Sequence, residues 1–267
     1  MPSDLATVTD AYARQVDNLA AETRRRLLSI WDALAPWGDA ELDRFHDIAR
    51  PLVEAAAQAG VDLTTVYVDN ISGAAGTASP LIPADAAARL YDPSDRIGKL
   101  IANGMEHTDA VRAARTVVDN LGHDTAYRAA RQSMAEVAPP HTKWRRRVTG
   151  KSCQWCLSLA GAEFYSAADA TFGHDRCDCL ACPSEAVATS NQQIIDAAGG
   201  DKAVKKYKQA NQLKRSERTA RKRQEQAKAD QLTEPDPDRR ERLSIREQEW
   251  ETRAERAAER LALLTSP

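Results

Sequence analysis

Aromatic side chains make up only 5% of this 267-residue chain, and no run of apolar residues approaches the roughly 18 that a membrane-spanning helix needs. A β-sandwich draws on aromatic and β-branched residues, so their scarcity beside abundant alanine favours helices packed through Ala, Leu and Val. The opening stretch Met1–Asp10 lacks a basic start followed by an apolar segment. The expectation is a protein made and used in the cytoplasm, with no membrane partner. Two catalytic signatures are missing as well. There is no G-x-S-x-G turn to present a serine nucleophile, and none of the five histidines sits in H-E-x-x-H. No internal repeat is present. What remains is 42% hydrophobic residues in a chain long enough for one or two domains with cores.

Charge is nearly balanced in sum, at a formal net of −2, but not along the chain. Residues 202–228 carry eleven Lys and Arg against Glu217 and Glu225, and residues 229–267 carry ten acids against seven Arg. That leaves 19 basic and 27 acidic residues in 1–201, a net of −8. An acidic body followed by a basic block points either to a segment that meets something anionic or to a solvated connecting helix.

Leu5, Val8, Tyr12, Val16, Leu19, Thr23, Leu27, Ile30 and Leu34 recur at steps of three and four. They predict one helix of some thirty residues, stopped by Pro36 and Gly38. A second helix from Asp39 would bury Leu42, Phe45, Ile48, Leu52 and Val53, kink or break at Pro51, and end before Gly60. Residues 70–95 read as a loop-rich crossing with room for one short helix, and a further helix spans about 108–137 up to Pro139 and Pro140. The segment after Pro139 reads as a small α/β unit: a strand through 143–149, a helix over 154–160 and a second strand at 163–166. Residues 201–228 are polar on nearly every face. In the last helix Leu243, Trp250, Ala257 and Leu264 stand seven apart, a stripe that asks for a partner surface. The expected fold is mainly α: a long-helix domain over 1–138, a zinc-knuckle-like Cys/His module over 139–190, and a charged helical tail over 191–267, basic at 202–228 and amphipathic at 239–265.

All five cysteines fall in the middle segment. Cys153-x2-Cys156 is followed, after seventeen residues, by His174-Asp175-Arg176-Cys177-Asp178-Cys179 and then Cys182. Two cysteines three positions apart can face one ion, and neighbouring Cys or His can complete the tetrahedral shell of structural zinc. A reducing cytosol disfavours disulfides, and a small module gains from a metal the stability its core lacks. Six candidates compete for about four positions: Cys153, Cys156, His174 and Cys177 rank first, Cys179 close behind and Cys182 last. The same residues also allow a set of buried thiols without metal, or one nucleophilic cysteine with His174 as its base and Asp175 or Asp178 as orienter. The stretch Lys143-Trp144-Arg145-Arg146-Arg147 could meet an acidic partner or guard a strand edge.

With its C-x2-C, short helix and glycine (Cys153 to Gly161) and its downstream H-x2-C-x-C (His174 to Cys179), the chain resembles the phage Mu F-like family of minor capsid proteins, above all the forms carried by phages of actinobacteria. The match is strongest over about 140–185, and His174-Asp175 stands where many members have His-Pro. The resemblance implies a head morphogenesis protein in the virion, inside the capsid, made in the host cytoplasm and working with portal, capsid and scaffold proteins in procapsid assembly and DNA packaging. Some relatives are described as capsid maturation proteases, which is the alternative activity; no proteolytic centre is visible in these residues. A cellular zinc protein that binds DNA is a third reading. Beside packaged DNA, a basic helix bearing Lys205, Lys206, Lys208, Lys214, Arg215, Arg218, Arg221 and Lys222 would neutralise phosphates of double-stranded DNA without reading sequence. Those cations spread around the helix rather than along one face.

Overall fold

A computed structural model describes residues 2–72, 86–138, 143–149, 152–171 and 177–265. The fold is mainly helical. Four helices open it: α1 (Pro2–Ala33), α2 (Asp39–Ser72), α3 (Asp92–Ala102), which follows a 3₁₀ turn at Ala88–Tyr91, and α4 (His107–Val137). Then come β1 (Trp144–Arg147), α5 (Gln154–Leu159), α6 (Ala167–Thr171), β2 (Leu180–Pro183) and α7 (Ser184–Ala197), followed by α8 (Gly200–Thr233) and α9 (Pro237–Thr265). The chain forms two compact units, 1–194 and 195–267, with the boundary inside α7. Among the described residues no helix is long and apolar enough to cross a membrane.

The stripe expected on α1 is the buried one, with Tyr12, Val16, Thr23 and Leu27 all inside, and Trp31 joins them from outside it. The second helix differs from expectation. It runs unbroken through Pro51, whose ring lies on the exposed face, and past Gly60 to Ser72. Gly60 is a contact point rather than a stop: a methyl there would stand 2.9 Å from the Ala126 carbonyl oxygen of α4 and 3.1 Å from Ala129. Gly122 does the same on α4, where any side chain would overlap the backbone of Arg24 on α1. Two glycines thus let three long helices approach backbone to backbone. The region expected to be loop-rich holds the 3₁₀ turn and α3, which Pro93 begins rather than interrupts; residues 73–85 lie outside the described residues.

One core, between α1, α2, α3 and α4, gathers Leu27, Trp31, Phe45, Val53, Leu90, Ile97 and Leu121, with the Trp31 ring 5.1 Å from Phe45. The other joins Tyr12, Val16, Tyr67, Tyr127 and Met134 of the helices to Trp144, Leu180, Ala181, Cys182 and Val187. The cysteine-bearing segment therefore shares its core with the long helices. Tyr12 and Tyr67 stack at 4.3 Å between centroids, and their hydroxyls reach Thr64 at 2.9 Å and Thr9 at 2.8 Å.

The strand pairing also corrects expectation. β1 covers 144–147, and its antiparallel partner is β2, with Arg145 opposite Cys182 and Arg146 opposite Ala181. Instead of a strand at 163–166 there is a single bridge, in which Trp144 and Phe164 exchange backbone hydrogen bonds of 2.9 and 2.8 Å. Ser166 then turns the chain into α6: its hydroxyl accepts from the Asp169 amide at 3.1 Å and donates to the Asp169 carboxylate at 2.8 Å. β2 is buried on both faces, so it has no alternation to betray it.

The second unit contains a hairpin of α8 and α9. The buried and half-buried side chains include 210, 213, 217, 220, 224, 227 and 231 on α8, and 243, 247, 250, 254, 257, 261 and 264 on α9. Both sets alternate steps of three and four, the spacing of a two-stranded coiled coil. The partner that the stripe of α9 asks for is α8. Polarity concealed this, because the α8 seam is Ala210, Leu213, Glu217, Ala220, Gln224, Ala227 and Gln231.

Candidate metal centre

The Cys153-x2-Cys156 turn opens α5, with Cys153 as its N-cap and Cys156 in the first turn. The extended stretch before β2 carries Cys177 and Cys179, which a period of two places on one side. The sulfurs of Cys156, Cys177 and Cys179 lie within 4.8 Å of one another, and those of Cys156 and Cys177 are 3.4 Å apart. All three residues are at most 2% exposed. Thiolates about 2.3 Å from a tetrahedral zinc stand about 3.8 Å from each other, so the cluster has the dimensions of three ligands of such a site.

The other expected ligands are placed differently. Cys153 is exposed and is not one of the three clustered thiols. His174 lies outside the described residues. Cys182 is buried elsewhere, against Tyr67, and burial pushes its thiol up to about 12. None of the five cysteines forms a disulfide.

Two arginines close on the cluster. Arg146, 1% exposed, points a guanidinium nitrogen at both Cys156 and Cys177, 3.9 Å from each sulfur, and covers the Trp155 ring at 4.8 Å. Arg131 of α4, also buried, donates to the Cys177 carbonyl at 2.7 Å. The Ser152 hydroxyl lies 3.7 Å from the Cys179 sulfur. In this setting Cys177 is held far below the ordinary thiol range, by hydrogen bonds from Cys156 and Cys179 and by Arg131. The bond to Cys177 drives Cys156 far up. For Cys179 the bond with Cys156 works downward, but Cys177 and burial outweigh it and lift the thiol to about 12. On its own, then, the cluster favours the thiolate form at Cys177 and disfavours it at Cys156 and Cys179. A divalent cation is what would hold all three sulfurs deprotonated, and two buried guanidiniums would offset the excess negative charge. The donor set fits zinc.

Arg131, Arg146 and Asn191 are residues that sequence reasoning missed. Arg146 had a signal: in a strand it faces opposite to Arg145 and Arg147. The cations of the basic stretch are accordingly engaged within the molecule. Arg145 and Lys143 pair with Glu163 at 3.2 and 3.3 Å, and Arg147 pairs with Asp10 at 3.3 Å. Buried Asn191 of α7 accepts from the Val148 amide at 3.2 Å and donates to the carbonyls of Arg146 at 2.8 Å and Ala160 at 2.9 Å. It ties β1, the end of α5 and α7 into one frame around the thiols.

On the hairpin, Lys205, Lys206, Lys208, Lys214, Arg215, Arg218, Arg221 and Lys222 are all exposed. Once the seam is drawn, Lys208, Lys214, Arg218, Arg221 and Lys222 fall within about a third of the helix circumference, while Arg215 lines a hollow with Trp250 and Arg253 of α9. These five form a stripe within a basic set that otherwise spreads around the helix. Arg221 shares it with Glu217, at 3.0 Å.

The model of the VG15 protein family matches residues 5–210, which takes in the helices, the thiol cluster and the first turns of α8. The chain belongs to the VG15 protein family. Membership in VG15 marks it as a phage protein. No curated protein and no solved structure matches it. The VG15 match ends at residue 210, so most of the hairpin lies beyond it.

Proposed function

We propose that the chain is a minor capsid protein of a bacteriophage head, of the Mu F-like kind, acting beside the portal in procapsid assembly and DNA packaging. The observation that carries this reading is the VG15 match across 5–210, which spans the segment where the Mu F-like cysteine and histidine pattern lies. In this reading Cys156, Cys177 and Cys179 hold a structural zinc, and Cys153 or His174 supplies the fourth ligand. The metal contributes a tetrahedral cross-link. The chain's own part is to bury the thiols, to offset their charge with Arg131 and Arg146, and to frame them through Asn191. The stripe on α8 contacts packaged double-stranded DNA without sequence preference.

The alternative, a capsid maturation protease, needs a nucleophile that a peptide can reach. The three clustered thiols are buried, which favours the structural role for them. The test is the composition of purified heads. Quantitative mass spectrometry should find the chain in few copies per virion, and phage lacking its gene should accumulate empty or malformed heads. Absence from virions, with filled heads made in its absence, would overturn the proposal. Uncleaved coat protein in the mutant, together with cleavage of purified coat protein by the purified chain, would move the assignment to the protease.

A further inference from the structure

Every seventh residue along one flank of α9 is an arginine: Arg239, Arg246, Arg253 and Arg260, all exposed. At a rise of 1.5 Å per residue they form a row of about 30 Å with a step of about 10 Å. The flank of α8 that borders the same side of the seam carries Lys202, Gln209, Ser216, Arg223 and Asp230. Paired helices place opposite charges on such facing flanks, since that is where side chains meet across the seam. Here only Asp230 is acidic. Arg239 has Asp236 at 3.7 Å, but no acid pairs with Arg246, Arg253 or Arg260 among the described residues.

Two of the cations are held in place. The guanidiniums of Arg223 and Arg253 both lie on the Trp250 ring, 4.6 and 4.5 Å from its centroid. Like charges brought together in this way repel unless an anion sits between or above them. The groove along this side opens into two hollows of about 450 and 500 Å³, where Arg215, Arg253 and Arg260 stand beside Gln209, Gln212 and Ser216. On the other side of the seam Ser244 and Ala258 are half-buried, and Glu251 stands on that flank.

We infer that this groove binds the phosphate backbone of double-stranded DNA, as a second site distinct from the stripe on α8. Its donors are guanidiniums, amides and a hydroxyl, the groups that grip phosphate oxygens. They extend in a line, as a linear polyanion requires. The main aromatic surface in the groove is occupied by arginine, which leaves little apolar anchorage for an acidic peptide. The inference rests on the proposed role beside packaged DNA, and it gives the hairpin two phosphate-binding faces where the sequence suggested one.

The test uses the full chain and a fluorescent 30-base-pair duplex (roughly 30, of mixed sequence), with binding followed by anisotropy over a salt series. Three variants are compared with wild type: R246Q/R253Q/R260Q in the groove, K214Q/R218Q/R221Q/K222Q in the stripe, and Q209E/S216E. The last places acids opposite the arginines, so it neutralises the groove while strengthening the helix pairing; a loss of binding there is not a loss of fold. The groove triple variant should weaken binding about tenfold at moderate salt and lower the slope of log affinity against log salt by about 3. Q209E/S216E should weaken binding in the same direction, and the stripe variant should add its own loss. Wild-type affinity and slope in both groove variants would overturn the inference. So would tighter binding of polyglutamate than of duplex, or a change only in self-association on ultracentrifugation. If wild type itself fails to bind duplex, stripe and groove fall together, while the virion assay judges the head assignment separately.

Discussion

In the body, long helices meet over Tyr12, Leu27, Trp31, Phe45, Tyr67 and Tyr127, large side chains that fill two cores. In the hairpin, helices of similar length meet over Ala220, Ala227, Ala254 and Ala257, with Glu217, Gln224 and Gln231 in the same seam. The first arrangement draws its stability from apolar volume and close backbone approach, the second from regular register with little apolar area. A seam of small residues brings two charged helices together without demanding much from either. The outer faces of the hairpin are then free to carry cations, and the body is left to hold the thiol centre.

The contrast can be broken or sharpened by experiment. The largest effect should come from the metal. On the proposed zinc centre, treatment with a chelator, or replacing Cys177 by Ser, should lower the Tm of the body by more than about 10 °C and leave the hairpin's melting in place. Far-UV and near-UV circular dichroism, followed together, separate the two; a shift of both transitions by the same amount would show the units to be coupled. Next in size is Gly122→Ala, which forces a methyl into the Arg24 backbone and should cost the body about 3 kcal/mol in denaturant unfolding. A value near zero would mean that α1 and α4 separate easily. In the hairpin the sign reverses. Gln224→Leu should raise its stability by about 1 kcal/mol, because a seam position there holds a polar group.

The smallest effect concerns acid. Glu163 is held down at about 2, first by the Ser184 hydroxyl and then by Arg145 and Lys143. A carboxylate lowered on folding contributes above its unfolded value of 4.5 and loses that contribution as pH falls toward 2. Acidification through that window should loosen the Glu163 contacts of β1, visible as a titrating carboxyl carbon in NMR and absent in Glu163→Gln. The hairpin should show no matching step from this residue.

Much of this was legible in the sequence, for identifiable reasons. The period of α1 and the prolines after α4 mark helices whose burial follows the pattern, and a cysteine-rich turn announces a shared site. The parts that escaped depend on contacts far along the chain. Gly60 reads as an end because glycine is a poor helix former, yet it continues α2 where α4 passes close. β2 hides inside the cysteine motif and is buried on both faces. The α8 seam hides because alanine and glutamine seldom register as apolar. In the thiol centre, sequence brought forward Cys156, Cys177 and Cys179, but not Arg131, which arrives from a helix more than twenty residues earlier.

The glycine crossing of α1 and α4 also sets an order of events at the ribosome. Gly122 follows Arg24 by nearly a hundred residues, so the apolar stripe of α1 emerges long before the helix that lies against its backbone. At synthesis rates of about 5–20 residues per second, that delay is on the order of ten seconds. For that interval Tyr12, Val16 and Leu27 have at most α2, the 3₁₀ turn and α3 to cover them, and the nascent chain is a client for whatever shields apolar surface in the infected cell.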